Sequence, residues 1–544
     1  MKKIFAQDIS DALFYTLFSI IIGGLTLFWL SYTYPQAMNE DMGVLLIFAE
    51  RFVNGGKFGV DIYEVNPPLS TLIYVPVIWF KNLTGLSLHF SSFFYVSVLL
   101  GLSTWLTNYV LKHDKSIANL DRLAIVAAYF LSNLFITVND YGERDHFVLL
   151  GLMPLALSIF YKTRGVRFNT AIEALIAAFG ILMLLLKPHF GLVPAYLFIQ
   201  RAWARRNLFA PCFDLTFMIM VFGCAVYIGC LLTVFHTFTF EQLPDIITLY
   251  VQKVFYPQYL YGLSLLLGLF IFISFTIHYT HDNRQRPDHL YYFTLILSLI
   301  CTLGFLAQAK GLIYHLIPAI SFLCINVTLL CYYDLSFYIK KKRALLIGVI
   351  TPVLLCWLTI FYINLSFPSK DDIKDLPFAQ WFKEYCPQDE QCKAYIFHET
   401  VDGIFGSFNY TNTIYASRFT AQWFLPEILS MQKQHEEGVE ARLPKEEVDR
   451  LWKKFSQLVA EDLIKYKPHF IAIIESEYYL NSFDVNSKKF IFDYGTRYSE
   501  NEAFRNEWKN YKYIGQKQVD RADYFKGTAL DKEHIMTYDL YVRQ

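Results

Sequence analysis

The sequence predicts a mainly α-helical, polytopic membrane domain that is followed by a small soluble α/β domain. Of its 544 residues, 54% are hydrophobic and 18% are charged, and the mean hydropathy is +0.31. Soluble domains are about 45–50% apolar and about 25% charged. Several apolar stretches also exceed the roughly 18 residues that indicate a membrane helix. We therefore expect about eleven spans within residues 1–368 and a separate folded domain over residues 369–544.

The predicted spans are apolar stretches separated by polar connections. In chain order they are Asp11–Thr33, His89–Leu111, Arg122–Val138, Phe147–Tyr161, Thr170–Leu186, Gly191–Gln200, Phe213–Phe235, Tyr259–Tyr279, Leu290–Ala307, Tyr314–Tyr332 and Ala344–Phe367. No small-residue cleavage site follows the first span, so we expect it to remain uncleaved.

Basic residues set the predicted orientation in a bacterial inner membrane. They cluster in alternate connections, which are Lys112–Lys115, Lys162–Arg167, Arg201–Arg206, Arg284–Arg286 and Lys340–Arg343. The positive-inside rule places these connections and the N-terminus in the cytoplasm. The apolar segment Pro67–Phe80 is short and contains three prolines, so we expect a helix in the outer interface and not a crossing. The C-terminal domain is then periplasmic.

The C-terminal domain has the alternation of strands and helices expected of a small α/β fold. Strands are predicted at Lys393–Phe397, Ile471–Ile474, Phe490–Tyr494 and Tyr538–Val542, and a helix is predicted at Glu446–Lys465. Cys386 and Cys392 lie close in this sequence. In an oxidising compartment they form a disulfide, although two unrelated thiols would show the same spacing.

The first predicted outer connection, residues 34–88, is rich in carboxylates. It contains Glu40, Asp41, Glu50, Asp61 and Glu64. Ionised carboxylates beside a span are stable only in water or against a partner, so they indicate either a solvated loop or a functional site.

Later outer connections carry cations and histidines. Residues 139–146 contain Glu143, Arg144, Asp145 and His146, and the next outer connection has Lys187 and His189 on either side of Pro188. Residues 241–253 are polar, and residues 308–315 contain Lys310 and His315. Singly, each could be an interface anchor or a hydrogen-bonded histidine. Together, carboxylates suit proton abstraction and cations suit a phosphate, while an apolar groove between spans suits a lipid tail.

The acidic pair Glu40-Asp41 after the first span, Gly55-Gly56, Asp61 and Asn66-Pro67-Pro68-Leu69 resemble the GT-C superfamily of membrane glycosyltransferases. That superfamily includes protein O-mannosyltransferases and the bacterial aminoarabinose and Rgt-type transferases. The cluster at 143–146, the Lys-Pro pair and the soluble C-terminal domain are similar too. The resemblance covers the transmembrane two thirds well and the C-terminal domain loosely.

The resemblance implies an enzyme that transfers a sugar, with inversion, from a polyprenyl-phosphate donor to a glycan, lipid or protein acceptor outside the membrane. Carried over, Asp41 is the candidate base with Glu40 beside it; the family's usual order is Asp-Glu, so the choice between these carboxylates stays open. Arg144, Lys187, Lys310 and His315 are candidates for the donor phosphate. Candidate substrate-binding residues are Asp61, Glu64, Glu143, Asp145, His146 and His189.

Other classes of function stay open. An O-antigen ligase or polymerase also handles lipid-linked sugars, but it would have one large outer loop late in the chain. A transporter or flippase would place its charges midway across the membrane in repeated halves, and a sensor would bind a ligand in the soluble domain. The balance of 48 basic and 48 acidic residues gives no indication of nucleic acid. No zinc-like ligand spacing is present, whereas the carboxylates leave a divalent cation open.

Overall fold

The computed structural model describes residues 11–251, 257–280, 288–350, 369–399, 401, 403–475, 477–479, 488–520 and 535–544. The chain folds as two compact units. The helical unit is drawn from Met1–Tyr34, Ser92–Cys230 and Val254–Ile363. The mixed unit is drawn from Pro35–Ser91, Leu231–Lys253 and Asn364–Gln544.

The α-helices in chain order are α1 (Asp11–Thr33), α2 (Glu40–Val53), α3 (Leu69–Leu72), α4 (Val75–Thr84), α5 (Leu88–Lys112), α6 (Asn119–Phe135), α7 (Arg144–Thr163), α8 (Thr170–Leu184), α9 (Leu192–Ala204), α10 (Leu215–Thr233), α11 (Leu243–Ile246), α12 (Pro257–Thr280), α13 (Asp288–Gln308), α14 (Ile317–Tyr338), α15 (residues 341–350), α16 (Pro377–Tyr385), α17 (Phe405–Thr411), α18 (Leu425–Glu436), α19 (Lys445–Tyr466), α20 (Tyr494–Tyr498) and α21 (Glu502–Trp508). Short π-helical turns flank α11 at Phe238–Gln242 and Ile247–Val251.

The strands are β1 (Lys393–Phe397), β2 (Ile414–Tyr415), β3 (Phe470–Ile474), β4 (Glu477–Tyr479), β5 (Lys489–Ile491), β6 (Tyr511–Asp520) and β7 (Ile535–Arg543). Five of them form a sheet in the order β2-β1-β3-β7-β6, and β4 pairs with β5 in a separate ribbon. The pairs β1–β2 and β1–β3 are parallel, whereas β7 runs antiparallel to β3 and β6. A small sheet in a mainly helical chain agrees with the predicted fold class.

Six stretches among the described residues are long and apolar enough to span a membrane. They are Asp11–Thr33, Leu88–Lys112, Arg144–Thr163, Leu215–Thr233, His289–Gln308 and Ile313–Ser336. Shorter apolar helices cover Thr170–Leu184 and Leu260–Thr276. The predicted count of eleven stays a prediction, since most of the last predicted span and the basic connection at 284–286 lie outside the described residues.

Exposure of apolar side chains shows which helices need lipid as their solvent. Leu27 on α1 is 67% exposed, Phe222 on α10 is 70% exposed and Leu265 on α12 is 78% exposed. Side chains of this kind are destabilising in contact with water at about 25 cal/mol per Å². The chain is therefore a membrane protein.

Helix α7 forms the centre of the helical unit because it is buried along most of its length. It packs against α8, α9 and α14. A Cβ atom added at Gly151 of α7 would lie 2.5 Å from Cβ of Met183 on α8. The glycine thus permits the close helix approach that small residues provide in membrane bundles.

The mixed unit joins parts of the chain that are far apart in sequence. Residues 35–91 pack with the C-terminal segment: α2 contacts α17 as well as α3 and α4. Gln36 forms a β-bridge with Ser369, and Tyr63 forms one with Phe419. The domain division predicted at residue 369 stays a prediction. In the structure, the earlier segments Pro35–Ser91 and Leu231–Lys253 belong to the same compact unit as the C-terminal segment.

The predicted strands at β1, β3 and β7 and the predicted helix at α19 are present. The strand predicted over Phe490–Tyr494 is wrong in its second half, because the chain leaves β5 at Ile491 and begins α20 at Tyr494. The side chain of Asp493 accepts a hydrogen bond from the Thr496 amide and so caps this helix. A local cap therefore outweighs the strand propensity of the aromatic residues.

The segment predicted as an interfacial helix forms α3 and α4. Pro76 occupies the first turn of α4, where a missing N–H costs nothing. Val77 and Ile78 are buried, whereas Trp79 is 61% exposed and Leu83 is 86% exposed. This two-sided pattern suits a helix at an interface, and its place in the membrane stays a prediction.

Candidate functional site

The helical unit contains a group of charged and imidazole side chains near the start of α7, all of them buried except the half-buried His189. We call it the α7 cluster, and its members are Glu143, Arg144, Asp145, His146, Lys187, His189 and His315. Each of them was a sequence-predicted site residue. The four members from Glu143 to His146 follow a turn at Gly142, where φ is +92°. That left-handed value favours glycine, and Glu143 follows as the N-cap of α7, accepting from the Arg144 amide.

Asp145 is the centre of the α7 cluster. Its carboxylate is fully buried, and Oδ2 lies 2.9 Å from Nδ1 of His315 and 3.5 Å from Nζ of Lys187. The ammonium of Lys187 is also 5.9 Å from the centre of the Tyr314 ring. Asp145 therefore holds a lysine and a histidine from two other connections against the start of α7 by charge-assisted contacts.

Several buried polar atoms of the α7 cluster have no hydrogen-bond partner among the described residues. They are Oε1 of Glu143, Oδ1 of Asp145, Nε2 of His146 and Nε2 of His189. His146 Nδ1 accepts from the Gly142 amide, so Nε2 carries the proton of a neutral ring and is a buried donor. Buried polar groups are normally paired, so spare donors and acceptors at one place indicate a site for a polar ligand.

The surroundings of His189 favour its uncharged form. Burial lowers the pKa of His189 to about 4; the nearby Asp145 carboxylate opposes this shift and the Lys187 ammonium adds to it. The α7 cluster thus combines two basic side chains, Arg144 beside Glu143 and Lys187 beside Asp145, with imidazole groups. An anion such as a phosphate would find both charge and hydrogen-bond donors there.

Glu40 in the mixed unit connects two helices through its carboxylate. Its Oε2 accepts from the Phe405 amide at 2.6 Å, and the Gly406 amide lies 3.2 Å from Oε1. These amides belong to the first turn of α17. Glu40 therefore joins α2 to α17 through charge-assisted bonds to backbone N–H groups.

Asp41 occupies the second position of α2 and is half-buried. The α2 N-terminus is capped by Asn39, whose side chain accepts from the Asp41 amide at 2.9 Å. One turn later, Gly43 leaves room for Asn409, since a Cβ atom there would lie 2.6 Å from Nδ2. Both amide atoms of Asn409 are buried without a hydrogen-bond partner among the described residues.

The remaining first-loop carboxylates lie in separate contacts. Nζ of Lys465 is 2.5 Å from Oδ1 of Asp61. Oε1 of Glu64 accepts from the Asn66 side chain at 2.5 Å, and the backbone oxygen of Glu64 accepts from Gln242. The contacts described for Asp61 and Glu64 thus involve different partners from those of Glu40.

Two connecting groups of the mixed unit were not predicted from the sequence. Arg51 donates to the carbonyls of Asp61, Ser417 and Tyr415 at 2.6–2.9 Å. Asp245 accepts from the Tyr63 hydroxyl at 3.0 Å and from Lys454 at 2.6 Å. Asp245 lies in the polar connection 241–253, whereas nothing local in the sequence distinguishes Arg51 from an ordinary helix-end arginine.

The other predicted positions add three observations. Lys310 lies next to Gly311, which has φ of +73°, in the connection between α13 and α14. Cys386 and Cys392 form a disulfide with Cα atoms 5.4 Å apart. Within the part of the chain that the structure describes, no group of three or more His, Cys, Asp or Glu side chains is arranged to hold a metal ion.

No protein-family model and no curated protein sequence matches this chain. Among solved structures, the fold is similar to the crystal structure of ArnT from Cupriavidus metallidurans bound to undecaprenyl phosphate, with 13% identity and a TM-score of 0.49 over 87% of this chain and 97% of that chain. Apo ArnT from the same organism has 11% identity and a TM-score of 0.48, over 86% of this chain and 96% of that chain. The cryo-EM structure of the mycobacterial arabinofuranosyltransferase AftD has 11% identity and a TM-score of 0.39, over 96% of this chain and 40% of that chain.

Proposed function

We propose that the protein is a membrane glycosyltransferase of the GT-C type. It takes a sugar from a polyprenyl-phosphate donor and transfers it, with inversion, to an acceptor hydroxyl of the cell envelope. The donor phosphate binds at the α7 cluster, and a first-loop carboxylate is the general base. Transfer takes place at the periplasmic face of the inner membrane.

The observation that carries this proposal is the α7 cluster itself. A buried group with two basic side chains and several spare hydrogen-bonding atoms, placed at the ends of membrane-spanning helices, suits a lipid-linked anion better than a soluble one. The phosphate would gain Lys187, Arg144 and the Nε2–H of His146 as donors, while its lipid chain stays among the helices. A negative charge that develops on the leaving phosphate is then stabilised by preorganised groups.

The contacts of Glu40 favour Asp41 as the base. Glu40 accepts two backbone amides and is thereby held as a structural link between α2 and α17. A carboxylate that accepts strong hydrogen bonds is a weaker base, since those bonds stabilise its ionised form. Asp41 lies at the same helix end, and general-base assistance of this kind contributes about 10²–10⁴-fold to a rate.

The proposed step conserves charge and atoms. Asp41 takes the proton of the acceptor hydroxyl while that oxygen forms a bond to the anomeric carbon. The bond between this carbon and the phosphate oxygen breaks on the opposite face, and the electron pair leaves with the polyprenyl phosphate. Lys187 and Arg144 stabilise the phosphate as its charge increases, so their effect is greatest in the transition state.

The test of the phosphate site is the rate of sugar transfer by Lys187 variants from a radiolabelled polyprenyl-phosphate sugar. We expect Lys187→Gln to lower the transfer rate by about 10²–10³-fold, by analogy with the loss of an oxyanion-hole donor. Lys187→Arg keeps the positive charge and should retain a larger share of the rate. Only variants that elute as a single species and show a cooperative melting transition are compared.

Lys81 provides a matched control because it too pairs with a carboxylate, Glu50, at 2.7 Å, but outside the α7 cluster. Lys81→Gln should transfer at nearly the wild-type rate. If Lys187→Gln and Lys81→Gln are equally active, the donor phosphate does not bind at the α7 cluster and the proposal loses its main support.

A further inference from the structure

A second feature of the helical unit is an open groove of about 600 Å³ between α1, α5 and α6. Its walls include Tyr15 of α1, Gly101 and Trp105 of α5, and Phe130 of α6. Gly101 forms an open part of the wall, since an added Cβ atom there would meet nothing within 4 Å. The groove thus exposes apolar surface to the lipid side of the helices.

One end of the groove is polar. Asn108 near the end of α5 lines it together with Asn119 and Arg122 at the start of α6. Among the residues that the structure describes, none pairs with these three side chains. Lys112, the last residue of α5, and Lys115, in the short connection between α5 and α6, lie near the same end. A guanidinium that lacks a carboxylate partner in this setting is complementary to an anion.

The length of the groove fits one leaflet of a bilayer. From Asn119 to Phe130 α6 rises about 16 Å at 1.5 Å per residue. The hydrocarbon core of a bilayer is about 30 Å thick, so each leaflet contributes about half of that. An acyl chain that begins beside Arg122 would therefore run along the groove to about the middle of the membrane.

This groove is separate from the α7 cluster. Helix α6 begins at the polar end of the groove, and its last residue, Phe135, precedes the connection that leads into α7. The two sites thus lie at opposite ends of α6, about 25 Å apart along its axis. A ligand in the groove is not the sugar donor at the α7 cluster.

We propose that this groove binds an anionic phospholipid of the cytoplasmic leaflet, with its phosphodiester against Arg122, Asn108 and Asn119 and one acyl chain beside Gly101. The apolar wall alone would accept any lipid, and the unpaired arginine selects an anionic headgroup. This inference is independent of the proposed sugar transfer.

Native mass spectrometry of the delipidated full-length protein tests the proposal, with dioleoylphosphatidylglycerol and dioleoylphosphatidylcholine as probes. We expect tighter binding of the anionic lipid to the wild type. Arg122→Gln should weaken that binding about fivefold, the factor that corresponds to ~1 kcal/mol for an arginine near an anionic headgroup. Arg205→Gln is the matched control, because Arg205 is an exposed arginine of another basic connection.

A second variant tests the apolar wall without changing any charge. Gly101→Leu should fill the groove and lower the binding of both lipids, and a leucine favours the helix over glycine. Gly262 of α12 is also exposed and open on its Cβ side, so Gly262→Leu should leave lipid binding unchanged.

Three outcomes would overturn the proposal. The first is equal binding of the anionic and zwitterionic lipids by the wild type. The second is an Arg122→Gln variant that binds them as Arg205→Gln does, or a Gly101→Leu variant with unchanged occupancy. The third is displacement of phosphatidylglycerol by polyprenyl phosphate in a manner that depends on Arg122, because the groove would then bind the carrier lipid.

Discussion

Substitutions at Asp145 and Lys187 should have opposite effects on the binding of the lipid phosphate, although each should destabilise the protein. Nζ of Lys187 lies 3.5 Å from Oδ2 of Asp145, and both side chains are buried. At an effective dielectric constant of 20 this attraction is about 5 kcal/mol before desolvation is subtracted. Removing one member leaves the other charge buried and uncompensated, which typically costs about 3–5 kcal/mol.

The expected pattern is therefore that of a double-mutant cycle with strong coupling. Asp145→Asn and Lys187→Met should each lower the free energy of unfolding by several kcal/mol, and the double variant should lose less than the sum. A coupling of about 0.5–3 kcal/mol is the usual range for residues in contact. The measurement is the denaturation midpoint in mixed micelles, with unfolding followed by tryptophan fluorescence.

The same variants separate the structural role from the proposed binding role. Asp145→Asn removes the negative charge beside Lys187, so polyprenyl phosphate should inhibit transfer at lower concentration. Lys187→Met should raise the inhibitory concentration instead. If the single effects on stability are additive in the double variant, the pair is not coupled. If both variants shift inhibition in the same direction, the α7 cluster does not bind the phosphate as proposed.

Further predictions concern the mixed unit. Gly59→Ala should lower the free energy of unfolding by several kcal/mol, since φ is +78° and an added Cβ would lie 2.8 Å from the Phe238 amide nitrogen. Gly55 has φ of +93° but open space around its Cβ position. Gly55→Ala should therefore lower the free energy of unfolding by only about 1–2 kcal/mol, as measured by melting experiments. Cys386→Ser should cost about 2–3 kcal/mol by the loop-entropy model, measured against wild type without reductant. Burial alone would raise the pKa of Asp61, but the Lys465 ammonium and the Lys57 amide outweigh it and lower the pKa. Because the folded-state pKa is the lower one, this stabilisation is complete above about pH 4 and is lost as the pH falls through the folded pKa. Lys465→Met should therefore lower the stability by about 0.2–1 kcal/mol at pH 7 and by progressively less as the pH falls through the folded pKa of Asp61, and a loss that stays constant into strong acid would contradict the pairing.

The elements that could be predicted from the sequence are those set by local composition. The first helix ends at Thr33, where its apolar stretch does, and β1 covers the predicted Lys393–Phe397. Both have a continuous pattern over a length that fits only one kind of element. The end of β5 could not be predicted, because a single capping aspartate decides it.

The assembly of the mixed unit could not be predicted for a different reason. The Glu40 contact with the Phe405 amide joins residues 365 positions apart, and neither residue type nor spacing encodes that pairing. The same applies to the Arg51 contacts with carbonyls beyond residue 414. The sequence predicts that Glu40 is charged and close to a span, but whether it acts as a base or as a helix link depends on the tertiary fold.

The α7 cluster is intermediate between these cases. Asp145, Lys187 and His315 were predicted as site residues because they are polar positions at the ends of apolar stretches. Their order along the chain does not say which atoms meet. Lys187 and His315 both contact Oδ2 of Asp145. This arrangement follows only from the packing of α7 against the connections before α9 and α14.

The most direct test of the central claim is sugar transfer by the Asp41→Asn variant in envelope membranes. Radiolabelled polyprenyl-phosphate hexoses and pentoses are supplied as donors, and label in the envelope fraction is measured together with the polyprenyl phosphate released. We expect wild-type protein to consume one class of donor, Asp41→Asn to be slower by about 10²–10⁴-fold, and Glu40→Gln to keep most of the rate in the fraction that stays folded. Transfer by Asp41→Asn at the wild-type rate, or no consumption of any lipid-linked donor by the wild type, would contradict the account.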